Sequence, residues 1–171
     1  MSMIGNFRQI SPSQLANIKD DPSLVEVVLF PDPDHVASEG RGDCKWSEEI
    51  DIDKAWHGIH FLLTGSAGET ESALGAVIMG GEGVGDDLGY GPARYLTPER
   101  VKELARALAE VKPEDLVKNF DPEKMTDQQV YPLIWDEGDE ALEYLLHHFH
   151  KLKDYYNDAA AKGNGMLLYM T

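Results

Sequence analysis

Asp53, His57 and His60 are the residues whose types and spacing could do chemistry. At about 100° per residue, His57 lies about 40° from Asp53 and His60 about 20° to its other side, so the three share one helix face. A carboxylate one turn from an imidazole can orient it and raise its basicity, the arrangement used for general bases and metal ligands. The same spacings suit two histidines and an aspartate on a divalent metal. The competing structural reading puts His60 under the core with its nitrogens satisfied by backbone, and pairs Asp53 with His57 near the surface. A nucleophile or second acid would be needed for catalysis, and none can be located from the spacing.

Glu143, His147, His150 and Asp154 form a second stripe at helical spacing. It lies roughly 140° from the centre of a neighbouring leucine stripe, so it is expected to face water. Gly80-Gly81-Glu82-Gly83-Val84-Gly85-Asp86-Asp87 invites a phosphate-loop reading and fails it. The order matches neither the P-loop nor the dinucleotide fingerprint, and its three carboxylates would repel a phosphate. Calcium suits the charge better, but the EF-hand spacing is absent. Residues 80–91 are therefore read as an acidic, glycine-rich loop, structural or binding. Cys44 sits between Asp43 and Lys45, whose opposing charges give no net activation of the thiol. There is no GxSxG, HExxH or paired-cysteine motif, so no cofactor or metal is assigned.

The chain of 171 residues carries a formal net charge of −16. Charge of that sign repels nucleic acid and anionic lipid alike and favours a basic protein as partner. No Lys or Arg occurs between Lys54 and Arg94, where Glu69, Glu71, Glu82, Asp86 and Asp87 fall. A second gap, Lys124 to Lys151, holds Asp127, Asp136, Glu137, Asp139, Glu140 and Glu143. The lone cysteine excludes an intrachain disulfide and points to a reducing compartment. The longest run free of charged residues, Ala55 to Gly68, is too short to span a bilayer. No basic stretch followed by an apolar one opens the chain, so the expected compartment is the cytoplasm.

The elements that must position these groups follow from periodicity and punctuation. Residues 2–10 read as an apolar strand, and Ser11-Pro12 opens a helix. Leu24 to Phe30 is compatible with a strand or a buried helix, and 31–45 with a loop. Ile52, Trp56, Ile59 and Leu63 set one stripe of a helix over 47–64, closed by Gly65. A short helix is expected over 72–79, a strand end at 93–96, and a helix after Thr97-Pro98-Glu99. Short helices near 113–119 and 121–126 precede a long one over 138–162, and residues 166–170 close the chain as a buried strand. Tyr131-Pro132 is an aromatic–proline step, which raises the cis fraction modestly, although trans remains the commoner form. The expected fold is α+β: one compact domain over 1–171, mostly helical, with a small sheet that includes the N- and C-terminal strands.

Three segments carry a resemblance to a known family: Met3-Ile4-Gly5, then DIDKAWHGIHFLLTG from Asp51 to Gly65, then Tyr131-Pro132. In the second, Asp51, Asp53, Lys54, Trp56, His60, Leu63, Thr64 and Gly65 match. The chain resembles the YfbM family, bacterial proteins defined by a domain of unknown function. The resemblance implies a compact α+β fold in a bacterial cytoplasmic protein, and it implies no reaction. Two functional readings remain. One is a non-enzymatic acidic protein-binding module, inhibitor- or immunity-like, for a basic partner. The alternative is a small-molecule-binding protein or enzyme using Asp53, His57 and His60.

Overall fold

The computed structural model describes residues 2–32 and 49–171. Cys44 and most of the loop expected at 31–45 lie outside the described residues. Five strands form one antiparallel sheet: β1 (Gly5–Ile10), β2 (Glu49–Asp51), β3 (Glu82–Asp87), β4 (Pro92–Leu96) and β5 (Gly165–Met170), in the order β2-β1-β5-β4-β3. Both terminal segments thus lie at the heart of the sheet, side by side.

Period-two alternation explains why MLLYM is apolar throughout. Met166 and Leu168 of β5 enter one core, while Leu167 and Tyr169 enter another on the opposite face. A strand covered on both sides has no polar face to show. The larger core is built with helices α3 (Trp56–Thr64), α4 (Ala73–Met79), α5 (Pro98–Ala109) and α8 (Asp139–Lys162). The smaller core lies under α1 (Pro12–Asp20) and α2 (Leu24–Leu29). Short helices α6 (Pro113–Asn119) and α7 (Pro122–Asp127) lie between α5 and α8 in the chain.

Local chemistry starts and stops these helices where the sequence indicates. Ser11 and Gln14 form a reciprocal capping box at α1, and the Thr97 hydroxyl accepts the Arg100 N–H at α5. Gly163 ends α8 at φ 70°, a conformation that costs glycine nothing. Ala141, Leu145, Phe149, Leu152, Tyr156 and Ala159 make its buried stripe. The fully buried Tyr156 hydroxyl donates to Val77 C=O at 2.6 Å, so α8 and α4 are joined by a bond as well as by packing.

One open reading is resolved and two expectations are corrected. Residues 24–29 form a helix, with Val25 and Leu29 inward and Val27 left outward. The helix expected over 47–64 begins only at Trp56. The described part before it is strand β2 and a 3-10 turn at Asp53–Ala55, because Asn6 to Arg8 of β1 pair with Asp51 to Glu49 and the Ile52 N–H is taken by Gly5 C=O. Strand pairing there competes successfully with the helical stripe. The glycine-rich stretch is no simple loop, since Glu82–Asp87 is strand β3, hairpinned to β4. Its glycines serve an irregular register between Val84 and Asp87 and the following turn, where Asp87 Oδ1 accepts the N–H groups of Gly89 and Gly91.

Candidate functional site

Ile52 ends the pairing with β1, and Asp53 turns the chain with φ 48°. Its own N–H is held by Asp51 Oδ1 at 3.1 Å. An aspartate tolerates this left-handed conformation better than most residues, because a short side chain can bond the local backbone. The turn aims the Asp53 carboxylate at α8, where Oδ2 accepts the Tyr144 hydroxyl at 3.0 Å. Asp53 therefore does not pair with His57, as the structural reading of the sequence had it. Burial, then the bond to Asp53, pushes the Tyr144 phenol well above its ordinary value.

The two histidines turn the other way. His57 Nε2 and His60 Nε2 each lie 2.8 Å from a carbonyl oxygen, of Ala67 and Gly68 respectively, so both donate to consecutive groups of the segment after α3. His57 Nδ1 accepts the Tyr131 N–H at 3.0 Å, which makes it bare and fixes the Nε2–H tautomer. His60 is fully buried, and its Nδ1 has no hydrogen-bond partner. Desolvation holds both imidazoles below their ordinary value, only partly offset by the bonds to Ala67 and Gly68. Asp53, His57 and His60 share a helical turn and its onset but do not converge on one point.

What does converge is the set of three segments that carry the family resemblance. The Trp56 indole stacks on His57 at 4.8 Å and on Tyr131 at 6.0 Å between ring centroids. Its Nε1–H donates to Met3 C=O at 3.0 Å, and the Tyr131 hydroxyl accepts the Met3 N–H at 3.2 Å. Tyr131-Pro132 is cis. Gly5 packs closely here, since a Cβ would stand 3.0 Å from Trp56 Cβ. Trp56 is half-buried at the margin of a stripe whose other members, Ile52, Ile59 and Leu63, are buried.

Reasoning from sequence missed Tyr144 and His148. They stand one turn apart on α8 with ring centroids 4.9 Å apart, and burial lowers the His148 pKa. Their spacing was legible, but nothing in the chain ties Tyr144 to an aspartate 91 positions away. Glu143, His147, His150 and Asp154 are all exposed, as expected. Among the described residues, no three His, Cys, Asp or Glu side chains are placed to hold a metal ion.

The inward histidines set a pH dependence. Their pKa values in the fold lie below the unfolded value near 6.5, so the unfolded chain binds protons first as pH falls. The stability they contribute is complete above about pH 6.5 and is lost as pH drops through the folded values. Urea unfolding at pH 8 and pH 5 should show the loss. The His57→Gln/His60→Gln double variant should be less stable at pH 8 and depend less on pH. An unchanged pH dependence in that variant would assign the effect to other groups.

An antiparallel sheet covered by helices on both faces, with His57 and His60 bonded to the backbone of the segment after α3, defines an α+β domain. The chain belongs to the family described as Domain of unknown function (DUF1877), whose sequence model matches residues 1–169. Among solved structures it is similar to a protein of unknown function, YfbM from Escherichia coli, with 18% identity and a TM-score of 0.72. That match covers 98% of this chain and 99% of the other. At that identity the likeness establishes the fold. No curated protein matches. Among the described residues, no helix is long and apolar enough to cross a membrane.

Proposed function

We propose that this protein is a non-enzymatic acidic binding module, inhibitor- or immunity-like, for a basic protein in the bacterial cytoplasm. One observation carries the reading. Every carboxylate in the two Lys/Arg-free runs is exposed, and none is in a salt bridge among the described residues. The ion pairs present, Arg8–Glu49, Arg100–Glu103 and Lys162–Asp158, draw on other acids. Asp139 and Glu140 have a local reason to be acidic, at the positive end of the α8 dipole. Glu69, Glu71 and Asp127 sit outside helix first turns. Unpaired charges of one sign add into a field that steers a cationic partner and speeds its capture.

The alternative, a ligand site on Asp53, His57 and His60, would first have to break four internal hydrogen bonds, to Tyr144, Ala67, Tyr131 and Gly68. The module reading asks for no such rearrangement.

Affinity capture with and without added salt tests it. A basic protein should be retained at low salt and released as the Debye length falls below about 8 Å. Glu69→Gln/Glu71→Gln/Asp136→Asn/Glu137→Gln, all at exposed positions, should weaken the same retention with no loss of thermal stability. A partner retained equally by this variant and at high salt would refute the proposal.

A further inference from the structure

Among the described residues, the sheet ends on β3, which has a neighbour on one side only. Alternate residues of a strand direct their N–H and C=O groups to opposite neighbours, so half of the β3 backbone groups face away from β4. Among the described residues, no backbone group outside the β3–β4 hairpin bonds to β3. Exposed Glu82, Asp86 and Asp87 lie along this strand, with Gly83 and Gly85 between them. Beside it a cleft of about 640 Å³ opens between β3–β4 and the start of α2, lined by Lys19, Ser23, Gly83, Gly85 and Tyr95. The one cation in that lining is already engaged, with Lys19 Nζ 5.4 Å from the Tyr95 ring centroid.

Resting on the acidic-module reading, we infer that β3 is its docking strand and that the occupant is an extended Lys/Arg-rich segment of the partner, added to the sheet edge. Strand addition supplies affinity through main-chain hydrogen bonds and specificity through side chains on either face. Charge selects the occupant. A second copy of this chain pairing edge to edge would set the same three carboxylates against each other, a known device against self-association. A basic strand meets them favourably.

The probe is a fluorescently labelled peptide of alternating lysine and valine, compared with its twin N-methylated at every amide. The twin keeps the charge and loses the donors for backbone pairing. The parent peptide should bind the full chain at low salt and slow hydrogen exchange at Glu82–Asp87. The methylated twin should bind about tenfold or more weakly, the effect of a few lost backbone bonds. Glu82→Gln/Asp86→Asn/Asp87→Asn should weaken the parent peptide comparably. Equal binding of the two peptides would overturn the docking strand while leaving charge-driven capture intact. No peptide binding, alongside salt-sensitive capture of a basic protein, would do the same. Loss of capture in the Glu69, Glu71, Asp136 and Glu137 variant tests the module reading independently.

Discussion

Deleting Met166–Thr171 is expected to leave an insoluble chain without a cooperative unfolding transition. β5 pairs with β1 from Gly5↔Met170 to Ile10↔Gly165 and with β4 from Arg94↔Leu168 to Leu96↔Met166. Without it the sheet falls into two separate strand pairs, β2-β1 and β4-β3, each marginal alone in water. Met166, Leu167, Leu168 and Tyr169 are all buried. Full burial of such side chains is worth about 1.5–3 kcal/mol each, which together rivals the whole stability of a domain, about 5–15 kcal/mol. Soluble yield and a urea titration read the outcome. A truncation that stays soluble and unfolds cooperatively would show that the two termini do not hold the sheet together.

Much of the fold was legible because its signals are local. Ser11-Pro12 and Thr97-Pro98 cap helices by chemistry contained within four residues, and Gly163 stops α8 by its φ alone. The terminal strands were legible from short apolar runs bounded by Gly or Pro. What failed was set by distant partners. Asp51 and Ile52 belong to a helical stripe by spacing, yet β1 claims their backbone. Glu82–Asp87 has the composition of a loop, and only the register with β4 makes it a strand. Leu24 to Leu29 was ambiguous because a short apolar run fits either period.

The candidate site was legible only as a shared helix face. Sequence placed Asp53, His57 and His60 together, but where each side chain points depends on groups elsewhere in the chain. Tyr144 draws Asp53 toward α8, while Ala67 and Gly68 draw the histidines the other way. The residues that carry the family resemblance meet around Trp56, where Met3, Gly5 and Tyr131 contact it. That junction gives those segments an architectural role: it locks the N-terminus, the start of α3 and the segment before α8 into one unit.

Trp135→Ala is expected to destabilise the protein by about 3–5 kcal/mol, the cost of truncating a buried aromatic. Trp135 is 1% exposed, and its Nε1–H donates to Val130 C=O at 2.7 Å, so alanine leaves both a cavity and an unmatched carbonyl. Trp56→Ala should cost less, because Trp56 is only partly buried. The contact that makes Trp135 special is with Gly58 of α3. A Cβ at Gly58 would stand 2.7 Å from Trp135 Cη2 and 2.6 Å from Leu145 Cδ2, so the glycine is what lets α3 approach α8. Gly58→Ala alone should therefore be destabilising by about 1–3 kcal/mol through overpacking, despite its gain in helix propensity. In the Trp135→Ala background one of the two obstructions is gone, and the same substitution should cost less. Chemical unfolding of both single variants and the double variant measures this coupling. Strict additivity would mean that Trp135 and Gly58 do not share the packing that joins α3 to α8, and that the junction is held by Leu145 alone.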